Sequence, residues 1–252
     1  MKRLLLAAAA GLLLGAAAHA ATSYAVISLV GDKLDIVTFQ PQIGSQLDNN
    51  SHMPLALPQD DLDTAALRAI NRALKATQPD AQIALLAAST ADSFADQDRI
   101  FSGSHVTLPA EIAAAVQREG ATRLVLVTKH HGDARLQGTG GSLGSGKLDG
   151  LGYYVDTDSH TRDVDAAGQP VGFIAPFVYV DVSLIDLATS SVVRRTVVMT
   201  SRVIGTANKD KAVHPWDALT GKEKVDMLMG MLSTELQRVV PQLVADGAPP
   251  AQ

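Results

Sequence analysis

Apolar side chains recur along this chain with two different periods, and the period changes from segment to segment. Tyr24-Ala-Val-Ile-Ser-Leu-Val30 is a short apolar run. After Gly31-Asp32, the stretch from Lys33 to Phe39 alternates Leu34, Ile36 and Thr38 with Asp35, Val37 and Phe39. Two extended runs around a Gly-Asp turn predict a β-hairpin. Pro41 to Pro58 is polar and punctuated by proline, the pattern of a surface loop. From Asp63 to Gln78 the period becomes helical: Leu67, Ile70 and Leu74 recur at spacings of three and four. Asp61 or Asp63 can cap that helix, and Pro79 ends it.

Gln82 to Ala88 is a continuous apolar run, as expected of a strand covered on both faces. A second helix is predicted from Pro109 through Ile112 and Val116 to the terminator Gly120. Thr122 to Thr128 is another buried strand, so strand, helix and strand in succession imply a right-handed parallel crossover. Gly132 to Pro176 breaks the pattern, being rich in glycine and carrying the acidic string Asp156-Thr-Asp-Ser-His-Thr-Arg-Asp-Val-Asp165. It reads as a long excursion, partly extended and mobile. Phe177–Leu187 and Val192–Ile204 form a hairpin in which Val178, Val180, Val182 and Leu184 share one face. The last element is a helix opened by a Thr220/Glu223 capping box, with Val225, Leu228, Met229, Leu232, Leu236, Val239 and Val240 as its apolar stripe. Beyond Pro241 it is expected to fray. The fold class is therefore α/β: a mixed sheet with a parallel β-α-β crossover, a carboxy-terminal β-hairpin and terminal helix, and a long glycine-rich insertion at 132–176. A single domain spans 21–245, and a disordered tail follows at 246–252.

Two stretches carry a family resemblance. Ala121-Thr-Arg-Leu-Val-Leu-Val-Thr128 is similar to the strand on which the chain leaves the second helix in a group of bacterial envelope α/β domains. Val180-Asp-Val-Ser-Leu-Ile-Asp-Leu-Ala-Thr-Ser-Ser-Val-Val193 resembles the hairpin that precedes their terminal helix. The group includes the curli-secretion channel lipoprotein, the lipoprotein activator of penicillin-binding proteins and the amino-terminal domain of the Tol translocation protein. The resemblance runs in pattern from Gln82 to Val240 and implies a binding or assembly domain rather than an enzyme. The chain departs from those lipoproteins in having no cysteine to lipidate.

Composition narrows the setting. Lys2 and Arg3, the apolar run Leu4 to Ala18 and the small-x-small site Ala18-His19-Ala20 have the layout of a signal peptide over 1–20. Export to the periplasm follows, with secretion as the second choice, and no later run is apolar enough for a stable membrane anchor. Without Lys2 and Arg3, the 21 basic groups fall to 19 against 26 acidic ones, a balance that disfavours nucleic acid. With no cysteine, thiol chemistry and thiolate metal sites are excluded, and stability must come from a packed core.

Three candidate chemistries remain. Gly140-Gly141-Ser142-Leu143-Gly144 matches G-x-S-x-G, with Asp181 or Asp186 as orienting acid and His214 as base in the Ser–Asp–His order of α/β-hydrolases. A nucleophile elbow needs a buried strand before it and a helix after it, and neither pattern flanks Ser142. The overlapping Gly141–Lys147 matches G-x-x-x-x-G-K, but Leu148 stands where a phosphate loop needs Ser or Thr. His130, His131, Asp133, Asp156 and Asp158 could ligate a metal, although adjacent histidines on a strand point to opposite faces. A binding role would instead use Trp216, the chain's one tryptophan, and the glycine-rich arm at Gly138, Gly140, Gly141 and Gly144. Trp216 would otherwise pack the start of the last helix against the sheet. The sequence points to a non-catalytic exported protein that uses no cofactor and binds another envelope protein or itself. A serine hydrolase and a metal-binding protein stand as alternatives.

Overall fold

The computed structural model describes residues 22–31, 33–41, 49–57, 61–88, 94, 97–138, 141–157, 172–205 and 214–245, so the stretch expected as a signal peptide and the expected carboxy-terminal tail lie outside the described residues. One long strand, β13 (Phe173–Asp186), organises an eleven-stranded sheet. Its first half pairs with β12 (Leu151–Asp156), which runs parallel to β2 (Lys33–Thr38), and β2 pairs with β3 (Ser51–Ala56). Its second half pairs with β7 (Arg123–Lys129), which runs parallel to β1 (Ser23–Ser28), and β1 runs parallel to β4 (Gln82–Leu86). The other edge of β13 carries β14 (Ser191–Ser201) and the short β15 (Ile204–Gly205).

The parallel crossover is present, with β1 lying between β4 and β7. The expected hairpin at Gly31-Asp32 is not. β1 is buried on both faces and engaged on both edges, so no edge is left for β2, which joins the other half of the sheet. Three more expectations change. The stretch expected as loop before Pro58 contains β3, an exposed edge strand that accommodates Pro54 where a central strand could not. Among the described residues β4 pairs only with β1, and it is half-exposed, not covered on both faces. The last helix runs past Pro241 to Val244, because Leu243 and Val244 are buried in the core.

One face of the sheet is covered by helices over its central strands. Ile174, Val178, Val180, Val182 and Leu184 of β13 meet α1 (Asp61–Thr77) and α3 (Gly221–Val244) in a single large core. Ala66, Ala69 and Ala73 let α1 lie close beside α3, where Leu228, Leu232, Leu236 and Val240 are buried. Each fully buried Leu or Val is worth about 1.5–3 kcal/mol, so this face dominates stability. Both ends of the helix pair are tied down. Asp63 lies inside α1 and accepts hydrogen bonds from the backbone N–H of Val30 and Gly31, each at 3.1 Å. A Cβ on Gly31 would sit 2.6 Å from Asp63 Oδ2, so that approach requires glycine. Thr220 and Glu223 form the expected capping box on α3. At its other end, Arg194 donates to the carbonyls of Gln242, Leu243 and Ala245.

Among the described residues, the opposite face is covered at its two ends. At one end α2 (Ala110–Arg118), β5 (Phe101–Ser102) and β6 (His105–Val106) surround a core of Ala25, Ile27, Leu124, Leu126, Ile112, Val116 and Ile185. At the other, the glycine-rich segment forms two small ribbons. β8 (His131–Asp133) pairs with β11 (Lys147–Asp149), and β9 (Leu136–Gly138) with β10 (Gly141–Leu143). Leu136 and Leu148 pack there against Tyr154, Phe173, Phe177 and Tyr179. The described part of the expected excursion is thus a lid with its own core, and Leu151 to Asp156 within it is a buried strand.

Candidate functional site

The covered ends leave a gap, and the sequence of β13 explains where. Its side chains on this face read Phe173, Ala175, Phe177, Tyr179, then Asp181 and Ser183, then Ile185. Two polar positions interrupt an otherwise apolar row. β7 does the same: Leu124 and Leu126 are followed by Thr128, which pairs with Asp181. A cleft of about 220 Å³ opens over this spot, lined by Gln97, Asp98, Phe101, Thr128, Lys129, His130, His131, Asp181 and Arg195.

Asp181 is its floor, with a side chain only 3% exposed. A buried carboxylate needs partners, and it has a full set. Arg195 of β14 donates from Nε to Oδ1 at 2.9 Å and from Nη2 to Oδ2 at 2.6 Å, while His130 Nδ1 lies 3.1 Å from Oδ2. A carboxylate can only accept, so Nδ1 carries the proton and Nε2 is the ring's other polar atom. The Asp181 hydrogen bond and charge, together with Asp98 nearby, hold the Arg195 guanidinium more firmly charged than usual against the opposing effect of burial. The guanidinium lies over the Phe101 ring at 4.9 Å. Gln97 closes one wall by donating to Leu29 O at 2.7 Å and accepting from Lys129 N at 2.9 Å. An Asp–His pair can orient and stabilise an imidazolium. Among the described residues, the cleft lining offers no Ser as nucleophile.

The proposed serine constellation is spread across the molecule. Ser142 is exposed on β10, opposite Gln137. Gln137 is anchored by donating to Ser201 Oγ, at the end of β14 that pairs with Phe177. Asp186 is at the far end of the same hairpin, roughly 30 Å of strand away. There it accepts from the N–H groups of Ala188 and Thr189, which hold its carboxyl below the usual range. His214 precedes the turn Pro215–Ala218 on the helix-covered face, its Nδ1 accepting from Trp216 N. The sheet separates it from Ser142. Lys147 begins strand β11, not a helix, and binds Asp133 at 2.5 Å.

The metal candidates also separate. His130 faces Asp181, His131 is exposed opposite Asp149, Asp133 pairs with Lys147, and Asp156 is buried at the end of β12. Asp158 and Gly140 lie outside the described residues. Among the described residues, no group of three or more His, Asp or Glu side chains could hold a metal ion. Trp216 is half-buried, edge-on to Tyr153 at 6.0 Å, with Lys224 Nζ 4.2 Å from its centre. Gly138 and Gly141 belong to the β9–β10 ribbon and Gly144 follows β10; Asn50 ties in the next residue by donating to Ser145 O at 2.6 Å. Sequence reasoning named Asp181 only as an alternative acid, and it passed over Arg195, Phe101 and Gln97. The available signal was the polar pair Asp181/Ser183 at core-facing positions of a buried strand.

No family model matches the chain, and no curated protein matches it. Among solved structures, it is similar to a PelC dodecamer from Paraburkholderia phytofirmans at 11% identity and TM-score 0.33, covering 89% of this chain and 90% of that one. A DUF330 protein from Xanthomonas campestris aligns at 10% identity and TM-score 0.31, over 88% and 86% of the two chains. A hypothetical protein from Chlamydia trachomatis aligns at 14% identity and TM-score 0.34, over 90% and 99%. Among the described residues, no helix is long and apolar enough to cross a membrane.

Proposed function

We propose that this chain is an exported, non-catalytic assembly protein of the bacterial envelope that associates with further copies of itself through the edges of its sheet. The observation that carries this reading is the exposed apolar row of edge strand β14, on the open face of the sheet. Val193, Val197 and Met199 are 37%, 44% and 47% exposed on one side of a strand whose outer edge is paired only at Ser191 among the described residues. A long apolar edge strand is a template for another chain. The opposite margin of the sheet, β3, carries Met53 and Leu55 at 57% and 42% exposure. Apolar edges on both sides of the same sheet suit a head-to-tail contact, in which β14 of one copy meets β3 of the next and rings or filaments result.

Light scattering during size-exclusion chromatography tests this across a wide concentration range. The expected result is a mass that grows with concentration and returns to that of a monomer in both Val197→Glu and Met53→Glu. A monomer at every concentration, or oligomers indifferent to both substitutions, would overturn self-association. Export is checked separately, by release of the protein with the periplasmic fraction and an amino terminus at Ala21.

A further inference from the structure

We infer that the cleft over Asp181 binds a small molecule through its carboxylate or phosphate group, gripped by the outer fork of the Arg195 guanidinium. A guanidinium presents five N–H groups in a plane. Asp181 takes one from Nε and one from Nη2. The two N–H of Nη1 and the second N–H of Nη2 remain, and they form a fork with the geometry that binds a carboxylate or phosphate bidentately. Among the described residues, the Arg195 side chain makes no hydrogen bond other than those to Asp181.

This fork is fixed before any ligand arrives. Two bonds to a buried carboxylate and the Phe101 face at 4.9 Å hold the guanidinium in place, so little side-chain freedom is left to lose on binding. Lys129, His130 and His131 bring further N–H donors to the lining. Its formal charges, Arg195 and Lys129 against Asp98 and Asp181, balance, so the geometry of the fork selects the ligand rather than net charge. At about 220 Å³ the cleft is below the roughly 300–1,000 Å³ of sites for drug-sized ligands, so it suits a compact molecule or the terminal group of a larger one. Arg195 shares its face of β14 with Val197, but the inference rests on the Asp181–Arg195 pair and not on self-association, and anion binding is read separately from oligomer mass.

The test is a titration of the whole protein with sodium phosphate and, separately, sodium acetate at constant ionic strength, followed by NMR of the Arg195 Nε–H and the His130 ring. Saturable shifts at both groups are expected with at least one of the two anions. Phosphate alone would identify a phosphoryl ligand, acetate alone a carboxylate, and either outcome supports the site. Arg195→Lys keeps the charge but loses the fork, and should weaken binding at least ten-fold. Asp98→Asn removes the opposing charge without touching the Asp181 pair, and should tighten binding several-fold even if Arg195→Lys fails to fold. Absence of saturable shifts with both anions, unchanged affinity in a folded Arg195→Lys, or no gain in Asp98→Asn would overturn the inference.

Discussion

Replacing Leu148 by Ala tests whether the glycine-rich segment is part of the core. Leu148 is completely buried, packed with Leu136, Tyr154 and Phe177 beneath the two ribbons. The substitution removes three carbons, and at about 0.8 kcal/mol each the transfer cost alone is about 2.4 kcal/mol. Two of the walls around it are aromatic rings held by their own hydrogen bonds: Tyr154 OH accepts from Ser145 N, and Tyr179 OH bonds Asp133 O. Those rings cannot collapse into the space, so a cavity contribution brings the total to about 3–4 kcal/mol. For a chain of this size that corresponds to a fall in Tm of roughly 6–16 °C. Urea and thermal unfolding followed by circular dichroism measure both quantities. Ser142→Ala, six positions earlier on the exposed side of β10, is the control and should shift stability by less than about 0.5 kcal/mol. If the two variants unfold alike, the ribbons do not pack as described and the lid is not a structural unit.

Two more substitutions probe the same region. A Cβ on Gly152 would lie 1.9 Å from Asp35 O and 2.8 Å from Phe177 Cζ, so Gly152→Ala must pry β12 from β2. A loss of about 3 kcal/mol or more is expected, seen as a lower urea midpoint or a failure to accumulate soluble protein; a wild-type midpoint would contradict the register. Asp149 has its pKa raised, chiefly by burial, with Lys129 and His131 drawing it back only in part. Its charged form is therefore the costly one in the fold: stability is fullest below the ordinary carboxylate value and declines as pH rises through the folded value. Asp149→Asn should accordingly unfold at a higher temperature than the parent at neutral pH, with the gain vanishing in acid. An equal gain at all pH values would show that the charge is not the cause.

Local pattern was a good guide wherever one face of an element decides its fate. Val178 to Leu184 lines the helix-covered core as its alternation requires, and Thr220 with Glu223 caps α3 as its spacing requires. Pairing partners were less legible. Lys33 to Thr38 is plainly a strand, but nothing local says that its inner neighbour is Leu151 to Asp156, over a hundred positions away. The glycines between Gly138 and Gly152 misled for a related reason. Glycine signals freedom in an isolated chain, whereas here Gly152 is required because another backbone passes at that spot. The cleft was half visible: Asp181 and Ser183 stand out in an apolar row, but Arg195 becomes their neighbour only through the β13–β14 register, and Phe101 only through the packing of β5.

β13 has a consequence for how the molecule comes into being. Because both halves of the sheet meet on that one strand, neither β12 nor β7 has its antiparallel neighbour until residues 173–186 have been made. A chain in which that strand has not yet joined carries open, apolar strand edges on both halves of its sheet. The unfolded chain is thus at its most vulnerable before residues 173–186 take their place, and a holding chaperone that binds extended apolar segments would act in that interval. Because one strand supplies the missing neighbour of both half-sheets, neither half is expected to persist in isolation from the other.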